Sequence, residues 1–366
     1  MTTGISSGSD GGSGISQRKA KHLEISVEEE NYRIEGTGGG FERVRFVHHA
    51  LPEMAADEVD PSLDFLGQRV SLPLFISCMT GGFEEGRALN RVLAQAAQKA
   101  RIPVGMGSIR LLFHDPGAFD QFHMKPWAPD VPVIANLGAV QVRDLPPERI
   151  VAMLERLEVQ ALAVHLNAGQ ELFQPGGDRD FSGLRQAVAR LCDRSPIPVI
   201  VKETGFGFRP SEVDDLLEAG AAYVDLAGAG GTNWVLVESY RADAETAEVA
   251  REFEDWGIPT ALLLVSLAGK ERRILASGGI RSGMEVAKSI ALGASLAGMA
   301  LPFIRAVHRE GVEGALRLIS RIRRSLQAVM VLTGCRSLAE LRQAGLIIEP
   351  SLAAEAQSLA QGDKGK

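Results

Sequence analysis

A chain of 366 residues with 39 basic and 46 acidic side chains carries a net charge of −7. That balance disfavours a nucleic-acid partner, which requires a basic face, while a hydrophobic fraction of 45 % allows a full globular core. The longest apolar runs, near 258–269 and 291–304, are shorter than the roughly 18–20 residues of a membrane span, and three cysteines without CxxC spacing indicate a reduced, cytoplasmic protein.

Residues 1–16 are dominated by Gly and Ser with no repeating apolar position, which predicts a disordered lead. No charged start precedes an apolar core there, so a secretory signal is not expected. Arg18, Lys19 and His22 follow as a basic knot. It reads either as a solvated surface patch or as a device for capturing phosphate. From there to about residue 350 short apolar runs alternate with helical patterns, and the chain reads as one domain over 17–350. Eight runs read as buried parallel strands, continuously apolar instead of alternating: about 72–77, 102–105, 131–135, 160–165, 197–202, 222–227, 272–276 and 295–299. Between them, Leu89, Val92, Leu93, Ala96, Ala97 and Ala100 follow the spacing of a half-buried helix, as do Ile150, Val151, Leu154 and Leu157. Val213, Leu216 and Leu217 mark another helix between Pro210 and Gly220. Residues 351–366 read as a flexible tail.

Eight β units joined by helices predict an α/β fold of the (β/α)8 TIM-barrel type, with a doubly wound open sheet as the rival. All eight strands end in glycine or polar groups. A barrel gathers such ends into one ring, whereas an open sheet concentrates them at a switch point. The sixth unit is interrupted by a long insertion, 228–271, in which Ala247, Ala250, Phe253 and Trp256 mark a helix. The insertion reads as a lid over the site or as an extra packing helix.

The chemistry concentrates at the strand ends. Ser277-Gly278-Gly279-Ile280-Arg281-Ser282-Gly283 precedes a helix, and glycines before a helix start let the backbone N–H groups approach an anion. Gly298-Met299-Ala300 supplies the second half of a phosphate cradle after the last two barrel strands. Lys202, ending the fifth strand, points into the ring to face a flavin, or is paired with a carboxylate such as Glu203. The stretch from His165 to Glu171 puts a base, two amides and a carboxylate into one loop. It offers Glu171 to a metal and His165, Asn167 and Gln170 to a diphosphate. No second His or Cys stands at zinc spacing, whereas Mg²⁺ needs only one carboxylate and substrate oxygens.

Taken together, RKAKHLEI at 18–25, HHALPEM at 48–54, SCMTGG at 77–82, GSIR at 107–110, NLGAVQ at 136–141, HLNAGQE at 165–171, KETGFG at 202–207, GAGGTNW at 228–234 and SGGIRSG at 277–283 resemble the type 2, FMN-dependent isopentenyl-diphosphate isomerases over about 18–345. The SGGIRSG cradle is shared with other FMN barrels. The resemblance implies FMN contacts at Met79, Thr80, Gly81, Ser108, Asn136, Lys202, Thr232, Gly279, Ile280, Arg281, Ala300 and Leu301. It implies substrate diphosphate at Arg18, Lys19, Ser108, Arg110, His165, Asn167 and Gln170, Mg²⁺ at Glu171, and catalytic roles for Gln170, Trp234 and Glu238, the last two beside the allylic carbons. It further implies reduced FMN as the acid/base, NADPH as reductant, and a homo-oligomer, tetramer or octamer, acting on a small allylic or homoallylic diphosphate with neither nucleic acid nor membrane as partner. Asn233 departs from the serine expected there. The alternative on the same barrel is an FMN-dependent 2-hydroxy-acid oxidoreductase. That enzyme would place a His base beside a carboxylate-binding Arg on the late strands, and Arg281 has no such His next to it.

Overall fold

The computed structural model describes residues 11–79, 84–269 and 272–363. Its centre is a closed, all-parallel barrel of eight strands: β1 (Leu74–Ile76), β2 (Val104–Ser108), β3 (Val133–Gly138), β4 (Ala161–His165), β5 (Val199–Lys202), β6 (Tyr223–Asp225), β7 (Ile274–Ala276) and β8 (Leu296–Met299). Each matches one of the eight apolar runs, and closure of β8 on β1 rules out the open sheet. The strands are short and buried on both faces, which is why they read as unbroken apolar runs. Phe75, Ile134, Ala161, Ala163, Ile200, Leu275 and Leu296 form one buried cluster with Phe65 and Val70.

Phe65 and Val70 come from an antiparallel hairpin, Leu63–Phe65 with Gln68–Val70, and the Phe65 ring lies 5.2 Å from that of Tyr223 in β6. A second antiparallel pair, Val44–Phe46 with Leu346–Ile348, ties the two ends of the chain together. Neither pair is visible in the sequence, because three residues are too few to show a period. The helical shell follows the predicted patterns: Glu84–Ala100, Pro147–Leu157, Pro210–Glu218 and Gly283–Ala291. Among the described residues no helix is long and apolar enough to cross a membrane.

Three expectations require correction. The helix Gly11–Val27 reaches back into the segment expected to be a disordered lead, and Ile25 on its far turn is fully buried. In the insertion, the helix marked by Ala247 and Ala250 runs only over Ala244–Arg251, and Phe253 and Trp256 lie in the turns beyond it. They stack edge to tilt on each other instead, with centroids 5.5 Å apart. The rest of the insertion divides its work: Thr260–Ser266 packs into the core through Ala261, Leu263 and Leu264, while Trp234–Ser239 stands beside the strand ends. Finally, the tail is not loose as far as Gly362. Pro350–Gly362 is a helix packed on Thr260–Ser266, with Leu352 and Ala356 buried. Proline at its start and two apolar positions four apart were the available signal.

That packing makes a measurable demand on the tail. Leu352→Ala should lower unfolding stability by about 2–5 kcal/mol, the cost of a buried leucine truncated in a core. An unchanged denaturant midpoint would mean that the tail helix contributes nothing to the fold.

Candidate active site

The eight strand ends surround one cavity. Its wall includes Ser77, Cys78 and Met79 after β1, Ser108 and Arg110 at β2, Asn136 and Gln141 at β3, and His165, Asn167, Gln170, Glu171 and Gln174 after β4. Lys202, Thr204 and Gly205 follow from β5, Ala227, Gly231, Thr232 and Trp234 after β6, Ser277, Gly278, Gly279 and Arg281 after β7, and Gly298, Met299, Ala300 and Leu301 at β8. Arg18, Lys19 and His22 reach it from Gly11–Val27. Most of the expected FMN contacts therefore converge. Thr80 and Gly81 lie outside the described residues. The Ile280 side chain is fully buried in the hydrophobic core, so any contact with a cofactor falls to its backbone.

The cradle between β7 and β8 is shaped by close backbone crossings. Gly278 has φ 96°, and a Cβ there would sit 2.0 Å from the Gly228 carbonyl oxygen. Only glycine meets both demands. Among the described residues the backbone N–H groups of Gly279, Ile280 and Ala300 find no acceptor. Those of Arg281 and Ser282 are already taken by the Glu285 carboxylate, at 2.7 and 2.9 Å, which closes the helix start as a capping box. The open donors thus lie just upstream of the helix. The Arg281 guanidinium is ion-paired with Glu35, which also accepts from Arg305 at 2.7 Å. An anionic group such as the FMN phosphate suits these unpaired N–H groups.

Opposite the cradle the wall is basic. Lys19 donates from Nζ to the Ser108 carbonyl at 3.2 Å and lies 5.6 Å from the centre of the Phe122 ring. Burial, reinforced by the charges of Arg18 and Arg110, pushes its pKa down to about 7. His165 donates from Nδ1 to Asn136 Oδ1 at 2.8 Å. Burial and the cations Lys202, Lys19 and Arg110 push it down to about 3, so it is a neutral ring in the free protein. Lys202, itself buried, donates to the Glu203 backbone carbonyl at 2.6 Å. The Glu203 carboxylate does not pair with it; it accepts N–H groups of Gly205 and Gly207 at 2.6 and 3.2 Å. Asp225, on the neighbouring strand, accepts from Ser277 Oγ at 2.7 Å, and burial raises its pKa.

The loop after β4 is a hydrogen-bonded unit. Asn167 Nδ2 donates to Gln170 Oε1 at 3.2 Å and to Glu171 Oε1 at 3.0 Å. Glu171 Oε2 accepts from Gln174 at 3.1 Å and from the Asp178 N–H at 2.8 Å. Oε1 carries a single hydrogen bond, which leaves it a lone pair for a cation such as Mg²⁺. Among the described residues there is no group of three or more His, Cys, Asp or Glu placed to hold a metal. Gln170 Nε2 donates to Glu238 Oε1 at 3.0 Å. Glu238, expected beside the substrate, is fully buried and does not line the cavity; Gln170, His22 and Trp234 stand in front of it. His22 is the residue the sequence reading undervalued. Its signal was the i, i+4 spacing from Arg18, which puts both on one face once the segment is helical. Asn233 has a structural role: Oδ1 caps Trp234–Ser239 by accepting from Val235 and Leu236, and Nδ2 donates to the carbonyls of Phe253 and Glu254.

A parallel barrel with an anion cradle after its last two strands and a buried cation at the end of the fifth defines the class of FMN-dependent barrel enzymes, and the FMN-dependent dehydrogenase family model matches residues 151–348. The same architecture occurs in a flavocytochrome b2 variant with pyruvate bound, at 21 % identity and TM-score 0.68 over 91 % of this chain and 84 % of that one, and in a mandelate oxidase variant carrying an FMN adduct, at 19 % and 0.64 over 89 % and 99 %. At this identity they share the fold alone. Within the class, the chain belongs to the isopentenyl-diphosphate delta-isomerase family. It is 41 % identical to the isopentenyl-diphosphate delta-isomerase of Borrelia garinii over 93 % of its length and 96 % of the relative's, and 40 % identical to that of Pyrococcus abyssi over 84 % and 86 %.

The basic wall predicts proton uptake. With a pKa near 7, Lys19 is largely neutral at pH 8. An adjacent polyanion favours the charged form and raises that pKa, so inorganic pyrophosphate binding should draw a proton onto the protein at pH 8 and progressively less as pH falls below 7. Calorimetry in two buffers of different ionisation enthalpy reads the uptake directly, and Lys19→Met should diminish it. Identical heats in both buffers would show Lys19 already charged in the free protein.

Proposed function

We propose that this enzyme interconverts isopentenyl diphosphate and dimethylallyl diphosphate by adding a proton at the terminal alkene carbon and removing one from the carbon next to the oxygen-bearing methylene. The observation that carries this is a cavity with two separate anion-binding poles. One is the N–H cradle of Gly279, Ile280 and Ala300; the other is the wall of Arg18, Lys19, Arg110 and His165. A flavin mononucleotide and a diphosphate each need one pole. Reduced FMN, when bound, supplies the acid/base chemistry that ordinary side chains provide poorly to an unactivated alkene.

The chain's own residues do the rest. Met79, Ser108, Asn136 and Thr232 border the flavin, with Ala300 and Leu301 at the cradle. Lys202 would oppose negative charge on the bound cofactor, as a buried cation does in a low-dielectric site. Arg18 and Arg110 grip the diphosphate with guanidinium forks. Asn167 and Gln170 supply amides, and Glu171 would hold Mg²⁺, whose charge would offset that of the diphosphate. His165, held by its hydrogen bond to Asn136, borders the diphosphate pole. The Trp234 ring, 5.3 Å from that of His22, forms an apolar wall beside the reacting carbons, where developing positive charge meets a π face. Glu238 acts from behind, through Gln170. Arg18, Lys19 and His22, all on one helix, cover the mouth and exclude water from the reaction. NADPH serves only to reduce the cofactor, and the enzyme works as a homo-oligomer in the cytoplasm.

Substrate and product are isomers, so reduced protein should form many product molecules per equivalent of NADPH or dithionite. Product formed one-to-one with reductant would instead identify an oxidoreductase. Glu171→Gln tests the metal site separately. It should weaken the Mg²⁺ response and raise KM while flavin content stays normal, since one ligand loses its charge. Loss of flavin with an unaltered Mg²⁺ response would remove Glu171 from the metal site.

A further inference from the structure

We propose that Arg241 is a positioning residue of the active site, fixing the Gln170 amide through the carboxylate of Glu238. Arg241 follows Trp234–Ser239 and lines no part of the cavity. Its Nη1 donates to Glu238 Oε2 at 2.5 Å, one turn away. The other carboxylate oxygen, Oε1, accepts from Gln170 Nε2 at 3.0 Å and from His22 Nε2 at 2.9 Å. Glu238 therefore joins three segments, the N-terminal helix, the loop after β4 and the insertion, and Arg241 Nη1 also lies 3.3 Å from His22 Nε2. The inference rests on the isomerase reading, in which Gln170 touches substrate.

The physical case turns on which partner keeps the carboxylate ionised. Glu238 is fully buried, and burial alone would hold it protonated. A protonated carboxyl turns one oxygen into a donor and loses an acceptor for the Gln170 and His22 N–H groups. The charged and titratable groups around it are His22 and Arg18 from the N-terminal helix and Arg241 from its own segment, with the neutral Gln170 facing it from the loop. Burial lowers the pKa of His22, so at neutral pH that ring donates a hydrogen bond without carrying charge. Arg18 lines the cavity and is committed to the substrate side. Arg241, with its guanidinium permanently charged, is the cation bonded to Glu238. Burial raises the pKa of Glu238, but the hydrogen bond and charge interaction with His22, then the hydrogen bond of Gln170 and the charge of Arg241, outweigh this and leave it below the ordinary carboxylate range. Gln170 is then held at both ends, by Glu238 at nitrogen and by Asn167 at oxygen, with one N–H remaining.

The experiment compares Arg241→Gln, Arg241→Lys and Glu238→Gln in the reduced holoenzyme, reading kcat and KM from pH 4 to 8. Flavin content and melting temperature accompany each variant. Arg241→Gln should cut kcat about 10-fold to 100-fold, the scale of a misplaced group, with KM little changed and flavin retained. Without the guanidinium, Glu238 takes up its proton at higher pH, so the acid limb of kcat should move up by about one to three units. Arg241→Lys keeps the charge and should return the limb toward its original position even where kcat recovers only in part. Glu238→Gln, with no group left to titrate, should lose the limb altogether. An acid limb that Glu238→Gln abolishes but Arg241→Gln leaves in place would overturn the role of Arg241. Full activity in Glu238→Gln would instead overturn the reading of Gln170 and Glu238 on which the inference stands.

Discussion

Strand register is the constraint on which the site depends. The parallel ladder sets Gly138 beside His165, His165 beside Lys202, and Lys202 beside Asp225. These four positions, drawn from four successive strands, become neighbours because parallel pairing sets each strand end beside the next. A one-residue slip in any pair would turn the polar side chain out of the ring and an apolar one into it. The apolar layer below the ring, completed by Phe65 and Val70 of the hairpin, makes such a slip costly, since it would place bulky core side chains toward solvent. Packing at the closed end of the barrel thereby specifies chemistry at the open end.

The same burial that excludes water concentrates charge that the free protein accommodates with difficulty. Lys19, Lys202 and His165 crowd one side of the cavity, and two of them respond by favouring their neutral forms. On the cradle side, N–H donors remain without acceptors among the described residues. Each of these is unfavourable on its own, and each is relieved by an anion.

The outer elements add to the lining that the barrel strands supply. Glu238, buried at the meeting of the N-terminal helix, the β4 loop and the insertion, has no counterpart in the barrel proper. It depends on Asn233 capping the helix that carries it and on His22 reaching across from the N-terminus. The likeness to mandelate oxidase and flavocytochrome b2 variants at 19–21 % identity concerns the barrel. Arg18, Lys19, His22 and Trp234 reach the cavity from segments on its rim, where sequence can change without disturbing the core.

Much of this was legible in one dimension. Eight apolar runs, the polar residues closing each of them and the glycines at 278 and 279 determine a barrel with a phosphate cradle, because strand burial and glycine conformation are local properties that leave local marks. The hairpin at 63–70 and the pairing of Val44–Phe46 with Leu346–Ile348 left none, three residues being shorter than any detectable period. The burial of the Ile280 and Glu238 side chains left no mark for a related reason. A motif names neighbours along the chain but not the direction in which each side chain points. That Ile280 turns into the core, that Glu203 binds backbone instead of Lys202, and that Arg18 and His22 share a helical face over the cavity were decided only when the barrel closed. Those contacts join residues tens to hundreds of positions apart, and their energies depend on burial that no single segment possesses alone.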